Sequence, residues 1–69
     1  MTNVQDPQVM ARDLLRTTEM TLMGLWLRFW GYGGQAGYME FDAYIHGVGS
    51  MSPGDIDLLR RAIEDLADE

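Results

Sequence analysis

The sequence predicts an all-α fold: a small domain in which one long N-terminal helix packs against a shorter helical pair. Three observations carry this. Apolar residues recur at the three-to-four spacing of an amphipathic helix in three separate segments. Proline and glycine stand where helices start and stop. No segment shows the strict alternation of a half-buried strand.

The first helix is expected over 6–30. Asp6 is a suitable N-cap and Pro7 suits the first helical position, where a missing N–H costs nothing. The pattern then runs unbroken to Trp30, roughly 36 Å at 1.5 Å per residue. Gly24 marks a weak point where the helix could bend. The glycine-rich loop Gly31-Tyr32-Gly33-Gly34-Gln35-Ala36-Gly37 ends it, spanning 31–37.

The second helix is expected over 38–47, with Phe41, Tyr44, Ile45 and Val48 on one face and Gly47 and Gly49 as terminators. The third is expected over 52–67. Ser52, Pro53 and Asp55 supply an N-cap, a first-turn proline and an acid in the manner of a capping box, with aspartate for the usual glutamate. Ile56, Leu59, Ile63 and Leu66 form its apolar stripe, widened by Leu58 and Ala62. Its acidic end, Asp65 to Glu69, opposes the helix dipole and is expected to fray. Residues 1–5 are polar and expected to be disordered.

Size and composition set the limits. Sixty-nine residues make one domain, and a chain this short buries only about 60% of its unfolded surface. Such domains usually need a staple. Without cysteine there is neither a disulfide nor a thiolate metal site, and a single histidine, His46, rules out a multi-histidine site within one chain. Self-association is the remaining staple, so a homodimer is expected. The net charge is −6 and every basic residue is an arginine: Arg12, Arg16, Arg28, Arg60 and Arg61. That balance disfavours nucleic acid, which calls for a basic patch, and it disfavours anionic membrane surfaces. The longest apolar stretch, Met20 to Trp30, is far short of the roughly 20 residues of a membrane span. No signal peptide is visible at the N-terminus, so a cytoplasmic location is the expectation.

The first helix carries the functional expectation. At 100° per residue, Leu15, Thr18, Leu22, Leu25, Trp26 and Phe29 share one side. Met20, Met23, Leu27 and Trp30 share another, centred roughly 130° away. A surface helix normally has one apolar stripe, and two short helices cannot easily cover both. Every aromatic also lies between Trp26 and Tyr44, and Trp30, Tyr32 and Tyr38 flank the glycine loop. The candidate interface for a protein partner or a second copy is therefore Met20, Met23, Leu27, Trp30, Tyr32 and Tyr38.

Chemical motifs are weak. The glycine loop lacks the Gly-Lys-Ser/Thr ending and preceding strand of a phosphate loop. Glu40, Asp42 and His46 form a polar group on the second helix, with Asp42 and His46 four apart. Carboxylates and a lone histidine on an exposed helix are ordinarily a solvated face. Asp55, Asp57, Glu64, Asp65, Asp68 and Glu69 read as an acidic outer face with local pairs Asp57–Arg61 and Arg61–Asp65. No catalytic residue, cofactor, metal or small-molecule substrate is indicated. The expected function is a small acidic adaptor, regulator or inhibitor of a protein partner. The alternative is a DNA-binding helix-turn-helix made by the second and third helices, joined by a turn of suitable length at Gly47–Met51.

Overall fold

The computed structural model describes residues 6–68. The expected disordered N-terminus, residues 1–5, and the terminal Glu69 lie outside the described residues. Four α-helices follow one another: α1 Pro7–Thr17, α2 Leu22–Gly31, α3 Tyr38–Ile45 and α4 Pro53–Ala67. The first two each pack on both of the last two.

The expected long helix is thus two helices, and threonine chemistry explains the break. The Thr17 and Thr18 hydroxyls donate back to the Asp13 and Leu14 carbonyls at 2.8 and 2.7 Å. Such back-bonding competes with the helical ladder. Thr18 leaves the helix with extended backbone, and its Oγ1 accepts the Met20 N–H at 3.2 Å. Thr21, also extended, caps α2 through an Oγ1 that accepts the Gly24 N–H at 3.0 Å. Gly24 therefore lies in the first turn of a new helix instead of bending an old one. A Cβ there would stand 2.9 Å from the Met20 sulfur.

Breaking the helix lets both halves face the same core. Ala11 from α1, Leu25 and Phe29 from α2, Phe41 and Ile45 from α3, and Leu59 from α4 are almost wholly buried. The Phe29 and Phe41 rings meet at 5.0 Å, tilted by 38°. A Gln8 Nε2 donor reaches the Tyr44 carbonyl at 2.6 Å and ties the start of α1 to the end of α3. Burial, aided by the Asp6 charge and opposed by Arg60, pushes the Tyr44 phenol above its ordinary value.

The two later helices fall close to their expected bounds. Phe41, Tyr44 and Ile45 point inward as the pattern requires, and α3 opens with the Gly37 N–H donated to Glu40 Oε1 at 3.0 Å. It ends at Ile45, two residues early, because His46 caps it and Gly47 turns away at φ 81°. Val48 consequently leaves the core face and is 81% exposed. Ser52 caps α4 by accepting the Asp55 N–H at 3.2 Å. Asp57 pairs with Arg60 at 2.8 Å, three residues on, where Arg61 was expected.

Asp55 is the main departure. It is not on an acidic outer face, and its carboxylate does not complete a capping box. It is buried, with Oδ1 accepting the Gln35 N–H at 3.1 Å and Oδ2 the Ala36 N–H at 3.0 Å. On the same loop, the Ala36 carbonyl accepts from Trp26 Nε1 at 3.1 Å, and Gly34 lies flat on the Phe29 ring where a Cβ would overlap it. The glycine-rich loop is therefore fastened on several sides to the core.

A candidate docking face on α2

The outward side of α2 follows from its own periodicity. Leu25 and Phe29 are buried, while Leu22 and Trp26 pack half-buried beside them. Met23, Leu27 and Trp30, at i, i+4 and i+7, then project within about 60° of one another on the opposite side. They are 46, 52 and 60% exposed. Tyr32, the residue capping the helix end, is exposed, but it stands about 140–180° around the helix from this row.

The other two interface candidates sit elsewhere. Met20 lies in the α1–α2 connection, half-buried against the core. Tyr38 is half-buried and sets its ring against Trp26 at 5.8 Å and 81°. Trp26 in turn holds the glycine loop, so the Trp26–Tyr38 pair serves the fold. The reason is the helix break: with the chain turning at Thr18–Thr21, Met20 no longer continues the row of Met23 and Leu27. The exposed apolar residues that sequence reasoning passed over are Val9 and Met39, while Val48 was expected on the apolar face of the second helix and is exposed. Met39 was legible in principle, since it stands about 200° from Phe41 around α3.

The charge pattern around α2 is as distinctive as its shape. Between Glu19 and Glu40 the chain contains no acidic residue, and Arg28 is its single charge. All of the protein's acids lie outside that stretch, although the net charge is −6. Arg28 falls in the last turn of α2, where a cation suits the helix dipole.

The polar groups with possible chemistry are engaged locally. His46 Nδ1 lies 2.9 Å from Asp42 Oδ1, an exposed pair at the end of α3. A shallow depression is lined by Gln35, Glu40, Ser50, Ser52 and Asp55, among others. Its carboxylates already accept backbone N–H groups, Glu40 from Gly37 and Asp55 from Gln35 and Ala36. Among the described residues no group of three or more metal-ligating side chains converges, and no helix is long and apolar enough to cross a membrane. The N-terminal turn of α4, which would read a DNA groove in a helix-turn-helix, carries Asp55 turned inward and Asp57 turned out.

Comparisons with protein-family models, characterised proteins and solved structures find no match.

Proposed function

We propose that this chain is a small, acidic, non-catalytic protein-interaction module of the cytoplasm, acting as an adaptor, regulator or inhibitor. One observation carries the reading: Met23, Leu27 and Trp30 form an exposed apolar row on a stretch without acids. Contiguous exposed apolar patches on small proteins mark contact sites. Interface centres are depleted in charge and enriched in tryptophan, methionine and arginine. Tryptophan and methionine both occur in this row.

The test is Leu27→Asp. It places a carboxylate in the centre of the row without touching the core. Amide exchange of wild-type protein in its host's extract should show protection of α2 that the variant lacks. Equal protection in both would sink the reading. The helix-turn-helix alternative is weaker, because Asp57 presents negative charge where phosphates would lie. Tight duplex binding in a low-salt mobility shift would revive it.

A further inference from the structure

We propose that the Thr18–Thr21 connection is a hinge, and that its straightening lets two copies of the chain exchange α1 to form a domain-swapped dimer. The exchange makes no use of the outward row of α2, so it stands or falls apart from the docking reading.

The two halves are in phase. Ala11 on α1 and Phe29 on α2 are both wholly buried and stand 18 residues apart. That separation is a whole number of turns at about 3.6 residues per turn. In an uninterrupted helix the two would therefore point the same way. Leu14, Leu15, Leu22 and Leu25, which also line the core, would fall within about 60° of that direction. The apolar stripe thus stays in register across the break, and a straight helix would present it as one band.

One copy cannot cover that band. Straightened from Pro7 to Gly31, the helix would be about 37 Å long at about 1.5 Å per residue, whereas the folded chain measures 26 × 26 × 18 Å. With α2 in its place, α1 would project beyond its own core. Ala11, Leu14 and Leu15 would be bare, and so would the seat that α1 leaves on α3 and α4. That seat is the surface shaped for α1, so two straightened copies complete one another. The element is suited to leave, because α1 packs on α3 and α4 with little packing on α2. Exchange then replaces each lost contact by an identical one, including the bond from Gln8 Nε2 to the Tyr44 carbonyl. Trading an identical element in this way is a low-cost route to a dimer.

The hinge chemistry permits both forms. The connection contains neither glycine nor proline. The Thr17 and Thr18 hydroxyl bonds to the Asp13 and Leu14 carbonyls are of a kind also made inside helices. Two threonine acceptors hold the turn: Thr18 Oγ1 takes the Met20 N–H and Thr21 Oγ1 the Gly24 N–H. Straightening replaces them with helical bonds from the amides of Glu19 to Gly24 to the carbonyls of Leu15 to Met20. Short hinges between elements are where swapping occurs. The net charge of −6 opposes bringing two copies together, so high concentration and salt favour the exchange.

The experiment is refolding of the full chain from urea in high salt, at about 10 µM and about 1 mM, followed by gel filtration with light scattering. Expected is monomer at the low concentration and an added dimer at the high one. Thr18→Ala with Thr21→Ala removes both acceptors and favours helix, and should raise the dimer's association constant at least about tenfold. Glu19→Pro interrupts the straight helix, while Thr18 before it already has the extended backbone that proline asks of its predecessor. That variant should fold and remain monomeric. Thr18→Ala alone and Glu19→Gly serve in place of either variant that does not fold. The exchange itself is read by isotope-filtered NOE on dimer refolded from mixed labelled and unlabelled chains, where contacts between α1 and α4 should cross from one chain to the other. Absence of dimer at about 1 mM in both the wild type and the threonine variant overturns the proposal. So does a dimer whose α1–α4 contacts stay within one chain, or a folded Glu19→Pro chain that dimerises as readily as the wild type.

Discussion

The Asp55 carboxylate on α4 accepts the backbone N–H groups of two consecutive loop residues, one on each oxygen, and Ala36 is 3.0 Å from Oδ2. A pair of amides held this way fixes the loop's path as well as its position. Replacing Asp55 by alanine leaves both donors short of a partner in a buried setting. Each unsatisfied group costs about 1–3 kcal/mol. Asp55→Ala is therefore expected to lower stability by about 2–4 kcal/mol, while Asp55→Asn, which keeps one acceptor, loses less. Urea midpoints of the two variants measure the difference. An Asp55→Asn variant as stable as the wild type would show that the carboxylate acts as bulk alone.

How much of this was legible follows from where the information lies. The α4 start could be read from Ser52 and Pro53, and the inward set Phe41, Tyr44 and Ile45 from spacing, because these depend on neighbours in sequence. The direction of Asp55 could not. Its partners Gln35 and Ala36 are 20 and 19 residues away, and an aspartate at that position of a first turn is equally at home in solvent. On the candidate face, the Met23–Leu27–Trp30 row follows from period alone. The exclusion of Met20 required knowing that the chain breaks.

That break gives a second prediction. Thr17, Thr18 and Thr21 each spend a hydroxyl on backbone groups around the turn, and a run of threonines was the available signal against a continuous helix. Thr21→Ala removes the N-cap of α2 and should cost about 1 kcal/mol. With Thr18→Ala added, the segment gains helix propensity while the cap is lost. The doubly substituted chain should show more helical ellipticity than the wild type in low trifluoroethanol, yet a lower melting temperature. Raised stability in the double variant would mean that the turn is strained instead of specified.

The glycine loop offers a direct contrast. Gly34 lies against the Phe29 ring, whereas nothing approaches within 4 Å of a Cβ built on Gly31. Gly34→Ala must push either the loop or a core aromatic and should destabilise by about 1–3 kcal/mol or more. Gly31→Ala, in the last turn of α2, should be neutral or stabilising by up to about 1 kcal/mol. Thermal melts of the two single variants decide this, and similar values would place Gly34 away from Phe29.

Alkaline pH should expose Tyr44. Its phenol is held above the ordinary value of 10.0, first by burial and then by the Asp6 charge. The folded state therefore keeps its proton when the unfolded state has begun to lose it. The neutral phenol's contribution is complete below pH 10 and declines as pH rises through 10 toward the folded value. Tyr44→Phe should flatten the fall in stability above pH 10 relative to wild type, read from urea midpoints at stepped pH. A fall of unchanged steepness would assign the alkaline limb to other groups.

Phe29 and Trp30 are neighbours in sequence and opposites in consequence. The first is wholly buried against Phe41 and Gly34, while the second is 60% exposed on the outward side of α2. Phe29→Ala opens a cavity under the loop and should cost about 3–5 kcal/mol, enough to unfold much of so small a domain. Trp30→Ala removes a larger ring but little packing, so the isolated chain should keep its stability to within about 0.5–1 kcal/mol. Binding should respond in the reverse sense. An anchor tryptophan typically accounts for about 2 kcal/mol or more of an interface, so Trp30→Ala should weaken whatever association α2 makes by about thirtyfold. Denaturation curves taken well below the association range, set beside sedimentation data at high concentration, separate the two effects. A tryptophan retained for the monomer's own stability would show the loss in the first measurement and not the second.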